Sequence, residues 1–241
     1  MHIDYLTLPV DPKGSEAIHL AFIVNEGALI LIDAGYPNML PLIAQQLEEK
    51  GRSLNALSQI WLTHHDHDHI GSLAQLKHRY PQVKIYASAI ERPFIEGSQP
   101  SLRLQQARAI QAQMPEGQQA AGEAFQAYLR TIEPCAIDGC LSHQQSLLED
   151  NVIVFDTKGH TEGHLAFYLP HQKTLVSGDM VVIDGGKLAL PFPEYAFDAQ
   201  QAKASILAIS HLPIHTVICY HGGVRSASEE EIKAELVAAA Q

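Results

Sequence analysis

An α/β layered fold is predicted for this 241-residue chain, and two features carry the prediction. Short β-rich runs alternate with amphipathic segments, as in layered α/β folds. Several of those runs also end directly in His or Asp beside Gly. Ile18–Val24 and Ala28–Asp33, separated by Asn25-Glu26-Gly27, form the first such pair and predict a β-hairpin. Leu40, Ile43 and Leu47 recur at helical spacing, so Met39–Lys50 is expected to be a helix closed by Gly51. Gln59–Thr63 is expected as a strand, Ile70–Tyr80 as a helix and Val83–Ala87 as the next strand.

Residues 91–133 differ in character. Gln and Ala abound, Phe125, Leu129 and Ile132 share a helical face, and Pro115-Glu116-Gly117 interrupts. Two helices inserted between β regions are expected, within a single domain spanning 1–241. Strands return at Val152–Phe155, Leu165–Leu169, Thr174–Ser177 and Thr216–Tyr220. Asp198-Ala199-Gln200-Gln201 reads as a capping box opening a helix to about Ser210, and Ser228-Glu229-Glu230-Glu231 caps a final one.

Composition limits the function. The chain is 46% hydrophobic and 18% charged, enough for a sizeable core. A formal net charge of −11 with no basic cluster argues against nucleic-acid binding. No run of about 18 apolar residues is present, so no membrane span is expected. Met1-His2-Ile3-Asp4-Tyr5 lacks a signal-peptide pattern, which makes a cytoplasmic location the default. Cys135, Cys140 and Cys219 form no CxxC pair and read as free thiols. Histidine is the outlier, with 14 residues.

Four histidines fall within Leu62-Thr63-His64-His65-Asp66-His67-Asp68-His69-Ile70-Gly71. Imidazole and carboxylate are the main N/O ligands of Zn, Fe and Mn. Residues two apart on an extended tip point the same way, so His64, Asp66 and Asp68 can converge, and His69 can turn back from the following helix. Three distant segments repeat the theme: Gly159-His160-Thr161-Glu162-Gly163-His164, Ser177-Gly178-Asp179 and Cys219-Tyr220-His221-Gly222-Gly223. Each sets a ligand-type side chain at a strand end beside a glycine, where backbone can approach a site closely.

These residues resemble the metallo-β-lactamase fold superfamily. Its signature is HxHxDH, then a His in a GHTxGH context, an Asp after a strand, and a late His followed by Gly. The similarity runs from Ile18 to Gly223. It implies a four-layer αββα sandwich and two divalent metal ions, zinc first, with manganese or iron as alternatives. His64, residue 66 and His160 would hold the first ion. Asp68, His69 and His221 would hold the second, and Asp179 would bridge them. Asp33 matches a family position beside the site and is expected to support ligands rather than be one.

One position departs from the family: its second histidine is Asp66 here, giving HxDxDH. Two divalent ions and one hydroxide against the three carboxylates give a neutral centre, where histidine would leave one positive charge. Carboxylate is also the harder ligand, which favours Mn or Fe relative to an all-imidazole site. His65 and His67 fall between ligand positions and are expected at the rim or supporting the ligands, with one of them a substitute if Asp66 points away. His164 is expected to be structural.

The implied chemistry is metal-assisted hydrolysis of an ester-type carbonyl in a small-molecule substrate, lactones and thioesters ahead of β-lactams. Asp68 is the candidate proton acceptor, and Tyr195 or Tyr36 a phenol for oxyanion hydrogen bonding. The short stretch after His221 is expected to leave little room for the helical domain of glutathione-thioester hydrolases. Phosphodiester hydrolysis, a mononuclear-iron sulfur dioxygenase and a metal-binding protein of low activity are the alternatives. A homodimer is compatible with the sequence.

Overall fold

The computed structural model describes residues 1–11 and 13–241. One sheet holds β1 (His2–Pro9), β2 (Ala17–Asn25), β3 (Ala28–Ile32), β4 (Leu57–Trp61), β5 (Lys84–Ser88) and β6 (Gly139–Leu141), side by side in chain order. The other runs β14-β13-β10-β9-β8-β7. Its strands are β7 (Ser146–Leu147), β8 (Val152–Asp156), β9 (Leu165–Leu169), β10 (Thr174–Gly178), β13 (Thr216–Cys219) and β14 (Gly223–Ser226). A separate hairpin pairs β11 (Val182–Asp184) with β12 (Lys187–Ala189).

Residue alternation along the strands builds the layers. In β2, Ala21 and Ile23 face the second sheet, while Leu20 and Phe22 face outward. Between the sheets, Ile30, Ile32 and Trp61 meet Val154, Phe167 and Ile218. The Trp61 and Phe167 rings lie 5.5 Å apart across this layer. Helices α1 (Leu40–Glu49), through Ile43 and Leu47, and α3 (Leu73–Arg79), through Leu73 and Leu76, cover the outer face of the first sheet. Helices α7 (Ala199–Ile209) and α8 (Glu229–Ala239) cover the second with Ile206, Ile209, Ile232 and Leu236. This is the four-layer αββα arrangement.

The β2–β3 hairpin turns through Glu26 and Gly27, both at positive φ, which matches the twist of its strands. Asp198 caps α7 by accepting from the N–H groups of Gln200 and Gln201, but the reciprocal half of a capping box forms only at Ser228 and Glu231. The helix expected over Ile70–Tyr80 is two helices, α2 (His67–Ile70) and α3, separated at Gly71-Ser72. Gly71 lies where a Cβ would collide with the Pro37 nitrogen, and the Ser72 hydroxyl donates to the Tyr36 carbonyl at 2.6 Å. That packing sits at the break. Between β5 and β6 run α4 (Arg92–Ile95), α5 (Leu102–Gln111) and α6 (Gln119–Leu129), one short helix more than expected. No helix among the described residues is long and apolar enough to cross a membrane.

Strand direction sets the site. β3 and β4 run parallel, as do β10 and β13, and the C-terminal ends of all four lead into the His/Asp segments. The sheets meet at that end through Ile18 and His221, with the His19 N–H donating to the Tyr220 carbonyl at 2.9 Å.

Candidate metal centre

The structure brings the seven proposed ligands into three overlapping sets, each with donor atoms within 4.8 Å of one another. They are His64, Asp66 and His160; His64, His69 and Asp179; and Asp68, His69 and His221. Asp66 stays with the cluster: its Oδ2 lies 3.2 Å from His160 Nε2 and 3.7 Å from His64 Nε2. His221 Nε2 is 3.2 Å from Asp68 Oδ2. Asp179 stands in the middle, with Oδ2 3.5 Å from both His160 Nε2 and His221 Nε2 and Oδ1 3.3 Å from His69 Nε2.

A cation fits these donors. His64 Nε2, His69 Nε2, Asp66 Oδ1 and Asp179 Oδ1 are buried without a hydrogen-bond partner, and such groups are costly unless something satisfies them.

Neighbouring polar groups aim the imidazoles. Asp33, at φ 69°, accepts from His69 Nδ1 at 2.9 Å and from the backbone N–H and hydroxyl of Thr63. The Thr63 oxygen in turn meets His64 Nδ1 at 3.0 Å. One carboxylate thereby leaves both Nε2 atoms free to face the centre, a common arrangement around metal-binding histidines. His164 Nε2 accepts the Asp179 backbone N–H at 3.1 Å, so its own proton sits on Nδ1 beside the Thr157 hydroxyl. It fixes the Asp179 turn and enters no donor set.

His65 and His67 enter none either. His65 pairs with buried Glu91 and stacks on Phe94, and its Nε2 accepts from the Leu102 N–H at the start of α5. The His67 ring meets Tyr36 and Tyr128 edge-on, each 5.6 Å away. Tyr195 lines the same cavity as the donors and lies against Arg103.

A family model described as the metallo-beta-lactamase superfamily matches residues 16–221. The chain belongs to this superfamily. Membership makes it a metal-dependent hydrolase. The probable metallo-hydrolase YflN of Bacillus subtilis (strain 168) is 25% identical over 81% of this chain and 75% of its own length. A hydroxyacylglutathione hydrolase of Ruegeria pomeroyi is 29% identical over 91% of this chain and 66% of its own. One from Synechococcus sp. (strain JA-2-3B'a(2-13)) is 31% identical over 75% of this chain and 56% of its own. The chain therefore spans between half and three quarters of the length of these relatives. The metallo-beta-lactamase family protein TTHA1429 of Thermus thermophilus superposes with a TM-score of 0.75, covering 98% of this chain and 78% of that one. At 19% identity that likeness is one of fold.

Two residues of this superfamily member were not anticipated. Glu91, just past β5, is fully buried and accepts from the Thr161 hydroxyl and Gly163 N–H as well as His65. Its position at a strand end was a legible signal. Arg103, in α5, donates to Asp66 Oδ2 at 2.5 Å, and nothing in the local sequence marks it.

Burial disfavours charge on every group here; it prevails at His64 and His164, while at the carboxylates, His69 and His221 the cluster overcomes it. Imidazoles hold Asp179 well below the usual carboxylate range, and His160, His64 and Arg103 do the same for Asp66. Against burial, Asp179 and Asp68 push His221 up to about 10, and Asp179 and Asp33 raise His69 well above its ordinary value. His221 is therefore protonated in the metal-free protein at pH 8, and the carboxylates favour the protonated ring at His69 too, whereas a metal takes the neutral ring. Metal uptake at pH 8 is expected to release about one proton per chain or more, read with an indicator dye in weak buffer. Uptake without release would contradict the assigned protonation. The raised His221 also stabilises the metal-free fold fully below its ordinary 6.5, and that stability fades as pH rises through about 10.

Proposed function

We propose that this chain hydrolyses an ester-type carbonyl, in a lactone or thioester, at a centre of two divalent ions. The observation that carries the reading is a pair of three-donor sets, His64/Asp66/His160 and Asp68/His69/His221, with Asp179 between them. They open on a cavity of about 870 Å³. That volume suits a small molecule. Ions held there supply Lewis acidity and a water made acidic enough to ionise near neutral pH. Zinc suits the imidazole-rich donors, and three carboxylates also accommodate manganese or iron.

The chain's own groups divide the remaining work. Asp68, deprotonated and facing the cavity, is placed to take a proton from the attacking water and pass it to the leaving group. Tyr36 and Tyr195 both line the cavity. Burial and nearby carboxylates raise the Tyr36 phenol, which keeps it a hydrogen donor, and Tyr195 offers a second. Apolar walls from Phe125, Ile183, Leu190 and Phe192 suit an acyl chain better than a sugar or nucleotide. The hydroxyacylglutathione hydrolase relatives point to thioesters within that class.

The test is metal analysis of the purified chain combined with turnover of lactones, thioesters, aryl phosphodiesters and β-lactams. Lactone or thioester turnover is expected to lead, with close to two ions per chain. Phosphodiesterase activity is the second reading, because Arg103 adds a positive charge beside the donors. Phosphodiester turnover far above the esters would establish it. One iron per chain, with oxygen consumed on a persulfide, would instead establish sulfur oxygenation. Tyr195→Phe is expected to lower kcat by about tenfold with KM nearly unchanged, as for loss of a bond made only in the transition state. An unchanged kcat would leave Tyr195 a wall residue.

A further inference from the structure

Arg103 is fastened on three sides. Its Nη2 donates to Asp66 Oδ2 at 2.5 Å, its Nη1 to Gln106 Oε1 at 2.8 Å, and its guanidinium lies 4.9 Å from the centre of the Tyr195 ring. The residue is only 8% exposed. Among the described residues lining the cavity it is the single Lys or Arg. The carboxylate oxygen it holds is also the one closest to His160 and His64. One carboxylate thus serves both the guanidinium and the proposed first metal position. It does so at the position where this chain departs from HxHxDH.

We propose that Arg103 sets the charge of the first metal position. Together with Asp66 it supplies what a single neutral imidazole supplies in HxHxDH, and it holds the affinity there below what Asp66 alone would give. The inference rests on the two-ion reading above. With Arg103 counted, the neutral centre expected from the ligands alone regains one positive charge. The physical reason is Coulombic. A fixed positive charge hydrogen-bonded to a ligand oxygen repels an incoming cation, and in a buried site neither water nor salt screens it well. A purely supporting role predicts the opposite sign, because removing a partner that orients a ligand weakens metal binding.

The experiment is a zinc titration of the metal-stripped full chain against a chromophoric chelator, reading stoichiometry and the affinity of the weaker step. Arg103→Leu is expected to tighten that step by about tenfold or more, while Arg103→Lys, which keeps the charge, stays within about threefold of wild type. Asp66→His is expected to loosen it by about tenfold, and Asp66→His/Arg103→Leu to return within about threefold of wild type. Circular dichroism and melting check that each variant is folded. Arg103→Gln and Asp66→Asn replace any that is not, with the same signs expected. The proposal is overturned if Arg103→Leu leaves the weaker step unchanged or loosens it, or if the double variant binds no tighter than Asp66→His. Uptake of one ion by the wild type would refute the two-ion reading instead. Arg103 would then be judged on that ion by the same signs.

Discussion

Replacing Asp179 with alanine is expected to lower kcat by about a thousandfold or more, equivalent to about 4 kcal/mol of transition-state stabilisation. Among the described residues no other carboxylate reaches imidazoles of both donor sets: its oxygens lie 3.3–3.5 Å from His69, His160 and His221. Its loss removes a donor from each proposed ion position at once. It also removes a carboxylate that favours the protonated form of His69 and His221 in the metal-free chain, so proton release on metal uptake should shrink as well. Steady-state kinetics with saturating zinc, alongside metal counts, would check this. A variant that keeps two ions and within tenfold of wild-type kcat would show that Asp179 is not shared between them.

The largest stability effect is expected outside the donor sets, at Glu91. Its carboxylate is inaccessible to water and receives hydrogen bonds from His65, Thr161 and Gly163. It ties the segment after β4 to the β8–β9 loop. Those two segments carry His64, Asp66 and His160. Against burial, His65 and Thr161 hold the carboxylate below its ordinary range. Removing one member of a buried pair strands the other, so Glu91→Ala should cost about 3–5 kcal/mol. For a chain of this length that is a fall in Tm of about 10 °C. The melt should be run on metal-stripped protein, so that lost metal cannot account for the change. Glu91→Gln, which still accepts from Thr161 and Gly163, is expected to fall between the two. A drop of under about 3 °C for Glu91→Ala would mean water replaces the carboxylate without penalty.

Local pattern made much of this architecture legible. The β2–β3 hairpin announces itself because Glu26-Gly27 takes the turn that matches strand twist, and α8 because Ser228 and Glu231 cap each other. β1 escaped notice for a physical reason. Its Ile3 and Tyr5 pack between the sheets while Leu6 and Leu8 pack under the helices, so both faces are apolar and no clean alternation appears. β6, β7, β14 and the β11–β12 hairpin are two to four residues each, too short to show a period.

The layered α/β class, most of the longer elements and the ligand-type residues at the strand ends can be read from local order in the chain. All of these depend on residues a few positions apart. Which partners those residues take depends instead on three-dimensional packing. Asp66 meets Arg103 and His65 meets Glu91 across 37 and 26 positions of chain. Contacts over such separations are set by how the sheets and the β5–β6 helices pack, and no local propensity encodes them. The charge proposed for the first metal position would therefore be a property of the fold, although every residue that makes it stands in plain view in the sequence.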